Sequence, residues 1–140
     1  MAEKSASLST EERAAIKARA KELKLQATRE GQLTAQRDAI AALTPDDRKL
    51  AKQISAMVEA AAPSLHPKTY YGMPGWANED DKMVCFFQPA SKFNVRYGTF
   101  GFDTAANLDD GDMWPTSFAL NKLSAADEKK LAALVAKAAS

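Results

Sequence analysis

At 140 residues, with 46% hydrophobic and 26% charged side chains and a formal net charge of +1, the sequence has the balance of one ordinary globular domain with a real core. It holds no apolar run near the ~20 residues needed to cross a bilayer, and its single cysteine (Cys85) and single histidine (His66) exclude an internal disulfide, a multi-cysteine zinc site and a two-histidine metal motif. Residues 63–120 carry 4 Lys/Arg against 7 Asp/Glu, while residues 1–62 carry 11 against 9 and residues 121–140 carry 4 against 2, so no nucleic-acid groove is expected through the centre.

The first residues, MAEKSASLSTEERAA, hold no apolar stretch of signal-peptide type, and a cytoplasmic location is the expectation. Ser9 and Glu12 form a capping box that starts a helix. Along it Ile16, Ala20, Leu23 and Ala27 recur as one narrow, alanine-rich stripe, which predicts weak docking. Gly31 interrupts the pattern, and a short helix from about Thr34 to Leu43 follows, anchored by Ile40 and Leu43. TPDDRKLAKQISAMVEAAAP is the clearest helix. Thr44 sits at its cap, Pro45 suits the first position, and Asp46 and Asp47 complement the positive end of the dipole. Leu50, Ile54, Met57, Val58 and Ala61 make a broad apolar face, and Pro63 ends it.

From Lys68 the period changes to that of strands. KTYYGMP and GWAN read as extended pieces on either side of a kink at Gly72 to Pro74, and NEDD as a turn. KMVCFFQ reads as a strand covered on both sides, with Met83, Cys85 and Phe87 on one face and Val84 and Phe86 on the other. PASKF is a break. VRYGTFGF is a further strand in which Gly98 and Gly101 mark a bulge or a close backbone approach. DTAANLDDG is expected to form one helical turn capped by Asp103 and stopped at Gly111, and PTSFAL is the last strand, opened by Pro115. LSAADEKKLAALVAKAAS closes the chain as a helix capped by Ser124 and Asp127, burying Leu131, Leu134, Val135 and Ala138. The expected architecture is α+β: a small antiparallel sheet of about four to five strands over residues 68–120, packed with N-terminal helices and a C-terminal helix. Residues 1–44 read as a helical extension packed on the same unit, and 45–140 as the α+β domain.

Few residues point to chemistry. DDGDMWP sets Asp109, Asp110 and Asp112 close together but lacks the twelve-residue ligand spacing and terminal glutamate of a calcium loop. Asp and Gly are turn formers, so bending the chain is its first role, with weak binding of a hard cation as the second. That second role gains if Glu79, Asp80 and Asp81 fold nearby. His66 and Cys85 read as structural. All eleven aromatic residues fall between Tyr70 and Phe118, and most must be core. A groove around Tyr71, Met73, Trp76 and Trp114, with Lys92 at its edge, is the candidate site for a small ligand or a protein. No nucleophile elbow and no phosphate loop is present, so the expectation is a protein that is not an enzyme.

At YYGMPGWA, MVCFFQPASKFNVRYGTFGF and NLDDGDMWPTSFAL the sequence resembles the YdhG-like family, of unknown function, which includes a frataxin-like bacterial iron chaperone. The resemblance covers about residues 45–139, and Tyr71, Gly72, Met73 and Pro74 are its most specific part. It implies an antiparallel sheet packed with helices. It also implies loose iron binding through exposed carboxylates, here Asp109, Asp110 and Asp112, with no tightly bound cofactor and delivery to an iron-acceptor protein. Neither nucleic acid nor membrane is an expected partner.

Overall fold

The computed structural model describes residues 9–140, with the side chains of residues 21–28 outside the description. The chain divides into two compact units, Met1–Gly31 and Gln32–Ser140. This boundary falls earlier than the expected one between residues 44 and 45. Helix α1 runs unbroken over Thr10–Ala41, so Gly31 does not end it. A glycine inside a helix costs only about 1 kcal/mol relative to alanine, too little to stop one that neighbours on both sides favour. In the first unit the Ser9 hydroxyl accepts the Glu12 backbone N–H at 3.0 Å, as the capping box predicts. Ile16 is 59% exposed, in keeping with a weak stripe, and the Leu23 and Ala27 side chains lie outside the described residues.

In the second unit the last turns of α1 are held by polar contacts. Gln36, almost fully buried, donates to the carbonyls of Gly75 at 2.6 Å and Lys68 at 3.1 Å. Helix α2, Pro45–Ala61, buries Leu50, Ala51, Ile54, Met57 and Val58. Thr44 occupies its N-cap, but the hydroxyl makes no cap bond and lies 3.1 Å from Ser91 Oγ instead. Asp47 accepts both the Ser91 hydroxyl and, at 3.1 Å, its backbone N–H. The α2 N-terminus is thereby tied to a 3-10 turn at Ser91–Phe93 rather than capped locally.

Five antiparallel strands follow in simple meander order: β1 His66–Tyr70, β2 Met73–Ala77, β3 Met83–Gln88, β4 Gly98–Phe102 and β5 Ser117–Leu120. The α+β expectation holds. The expected kink is a tight hairpin turn, with Tyr71 and Gly72 both at positive φ, 50° and 78°. Pro74 lies inside β2, where its missing N–H is tolerated because β3 pairs with β2 only from Gly75 onward. Strict alternation along β3 fails by one residue. Trp76 pairs with Cys85 but Ala77 with Met83, so Val84 is the extra residue of a bulge. Met83 therefore shares a face with Phe86, not with Cys85 and Phe87. Between β4 and β5 the chain forms turns rather than the expected helical turn, and Ala106 and Leu108 are buried there.

One face of the sheet carries Trp76, Cys85, Phe87, Phe100 and Phe102, and packs with Leu50, Ile54 and Val58 of α2 and Leu131, Val135 and Ala138 of α3 (Ala125–Ala139). Fully burying a side chain of this size contributes roughly 1.5–3 kcal/mol, so these rings are the main source of stability. Ser124 caps α3 as expected, accepting the Asp127 N–H at 3.2 Å. Among the described residues, no helix is long and apolar enough to cross a membrane.

Candidate binding face

The opposite face of the sheet is built differently. Register places Tyr70, Gly75, Met83 and Phe86 on it, and Gly101 beyond Phe86. The two glycines are the reason large side chains can lie flat there. A Cβ on Gly101 would sit 2.5 Å from the Phe86 ring, and one on Gly75 would sit 2.7 Å from Met83 Sδ. The Tyr70 ring lies across this floor with its centroid 5.1 Å from that of Phe86. Tyr71 meets it edge-on at 4.7 Å and is 84% exposed. A concavity of about 660 Å³ opens here, lined only by strands and their connections; Lys68, Lys82, Asp81 and Asp103 give it both signs of charge.

The charged groups at its margin are organised. Asp103 lines the same concavity as Tyr70. Interaction with the Asp103 carboxylate, with some burial behind it, raises the phenol above its ordinary value of 10.0. A raised phenol pKa adds stability that is complete below the ordinary value and is lost as pH rises through the folded-state value. Asp103→Asn is expected to bring Tyr70 down towards that ordinary value, read from the pH dependence of its ring NMR signals. An unchanged Tyr70 titration would show that the pair is not formed.

Asp81 closes the turn of residues 78–82 with φ 61°, a conformation that aspartate tolerates better than most residues. Its carboxylate lies 2.8 Å from His66 Nε2 and 3.2 Å from Lys68 Nζ, and accepts from Gln32 Nε2 at 3.3 Å. Partial burial pushes the Asp81 carboxyl up, but the hydrogen bonds from His66, Lys68 and Gln32 outweigh it and the net shift is downward. His66 is thus an anchoring residue, as expected, with Nδ1 buried and unpartnered. Burial pushes the Cys85 thiol far up, which keeps it un-ionised and unreactive.

No family model matches the chain, and no curated protein or solved structure matches it either.

The residues singled out in the sequence are distributed as follows. Tyr71 and Met73 adjoin the open face, Tyr71 exposed and Met73 buried beside Tyr70 in register. Lys92 clamps the hairpin tip, donating to the Gly72 carbonyl at 2.6 Å. Trp76 is 0% exposed on the helix-covered face, its Nε1 without a partner. Trp114 packs half-buried against the core from the β4–β5 connection, at the end of the meander opposite to Tyr71. These five residues therefore do not line one groove. Asp109, Asp110 and Asp112 are exposed in that same connection, and the meander puts the turn bearing Glu79, Asp80 and Asp81 at the same end of the sheet. Among the described residues, no three His, Cys, Asp or Glu side chains converge as a metal-binding group. Tyr70, Met83, Phe86 and Asp103 were not singled out. Their signal lay in the glycines: Gly75 and Gly101 both stand opposite Phe86 once the strands are paired.

Proposed function

We infer that this chain is a non-enzymatic accessory protein of YdhG-like type that holds a flat, largely apolar small molecule on the open face of its sheet. The observation that carries this reading is Tyr71, kept exposed in left-handed backbone at the hairpin tip with its ring edge-on to Tyr70. A bulky residue in that conformation is costly, and such strain collects at binding sites. The concavity lies in the size range of small-ligand sites, roughly 300–1,000 Å³. Its floor of Tyr70 and Met83, with the Phe86 ring packed against Tyr70, suits an aromatic body, and the balanced charges at its margin suit a neutral or zwitterionic molecule rather than an ion. Asp81 and Asp103 would repel a phosphate backbone, which separates this face from a single-strand stacking platform.

Weak iron delivery through Asp109, Asp110 and Asp112 is the second reading, favoured by both acidic turns lying at one end of the sheet. One isotope-labelled sample tests the two. Indole and other neutral aromatic fragments are expected to shift the Tyr70, Tyr71 and Phe86 ring signals and the Met83 methyl. Fe(II), added anaerobically, should leave residues 109–112 unbroadened. Broadening confined to those acids, removed by Asp→Asn at all three, together with no fragment response, would replace the first reading by the second.

A further inference from the structure

A second cavity, of about 580 Å³, lies between the last turns of α1 and the outer side of α2. The short connector of residues 42–44 folds the two helices back on each other, and each contributes one stripe. Leu33, Arg37 and Ile40 come from α1 at i, i+4 and i+7; Arg48, Lys52, Ala56 and Glu59 come from α2 at i, i+4, i+8 and i+11. Arg37, Arg48 and Lys52 line the end near the connector, where Ile40 is buried beneath them. Leu33 and Ala56 lie further along, and the single acid, Glu59, is about 10 Å beyond Lys52 along the helix axis.

The cations at that end are not consumed by the fold. Arg48 spends one donor on the Ala41 carbonyl at 3.3 Å. Neither Arg37 nor Lys52 forms an ion pair among the described residues. Three positive charges line one groove beside the apolar Leu33 and Ala56, with a lone carboxylate at the far end. Charges of one sign gathered along a cleft make its potential positive and favour a negatively charged ligand. A bare inorganic anion would leave Leu33 and Ala56 unused, whereas an apolar molecule would leave the cations unneutralised.

We propose that this groove binds a monomeric anionic amphiphile, with its carboxylate or phosphate head between Arg37, Arg48 and Lys52 and its alkyl body along Leu33 and Ala56. The site is separate from the open sheet face and takes a different ligand class. The test titrates the full chain with decanoate, decyl phosphate and decylammonium, each as monomer, and follows methyl and backbone NMR signals. Both anions are expected to shift Leu33, Ile40, Ala41 and Ala56, with preference between them naming the head group, and decylammonium is expected to shift none. Arg37→Gln with Lys52→Gln, both at exposed positions, should weaken decanoate by about ten-fold or more, the loss of roughly one good ion pair. Arg37→Glu with Lys52→Glu should reverse the preference to decylammonium. Equal binding of decylammonium by the parent chain, undiminished decanoate binding by the glutamine variant, or shifts elsewhere would overturn the proposal. So would association with phosphatidylglycerol vesicles in place of monomer binding.

Discussion

Replacing Phe87 by alanine is expected to lower the unfolding free energy by about 3–5 kcal/mol, a large share of the 5–15 kcal/mol that holds a typical domain together. Replacing its neighbour Phe86 should cost less, about 1–2 kcal/mol, because that ring is only partly buried. The two residues are adjacent in β3 and chemically identical, and the difference lies in the face each occupies. Phe87 is 0% exposed, paired in register with Phe100 beneath the helices, and its removal leaves a cavity that α2 and α3 cannot close. Phe86 lies on Gly101 on the uncovered side. Urea unfolding at constant m-value reads both numbers. Phe86→Ala should also weaken the response to aromatic fragments by removing the ring that supports Tyr70, while Phe86→Tyr preserves it. Equal losses of stability at the two positions would mean that both faces of β3 are covered, and the binding reading would fail with the open face.

Tyr71→Asn should move stability and binding in opposite directions. With Tyr71 and Gly72 both at positive φ, the hairpin turn is of the type that favours Asn-Gly, and an ordinary L-residue in left-handed backbone costs roughly 1–2 kcal/mol. Asparagine relieves part of that strain. The edge contact with Tyr70 is lost, but at a ring so exposed it offsets little, so a net gain of about 0.5–1 kcal/mol is expected. The thermal midpoint should rise while the fragment response disappears. If Tyr71→Asn destabilises the protein instead, the tyrosine is there for packing, and the strain argument for a binding face fails.

Much of the architecture was legible because it is written in local patterns. The α2 face of Leu50, Ile54, Met57 and Val58 repeats with the helical period, and the Ser124 cap needs only residues three apart. The aromatic run between Tyr70 and Phe118 announced the sheet, and the turn at residues 78–82 follows from Asn and Asp chemistry. The errors arose where a weak local signal met a stronger neighbour. Gly31 carries a penalty too small to end α1, and Thr44 had a better partner in Ser91 than in its own helix. Val84 illustrates a different limit, since nothing around it in sequence marks a bulge that exists only in the pairing of β2 with β3.

By itself, then, the sequence determined the fold class, the helix faces, the position of most strands and the structural standing of His66 and Cys85, all of which depend on interactions between near neighbours. Only the tertiary structure decided which side of the sheet the helices cover, and with it that Trp76 is buried core and Tyr70 is half-buried on the other face. It also decided that Asp81 gathers His66, Lys68 and Gln32, and that Arg37 faces Arg48 and Lys52 across a groove. The physical reason is the same in each case. A strand's alternation gives two equivalent faces, and a charge has no partner until distant segments meet. Both choices are made by packing between elements far apart in the chain.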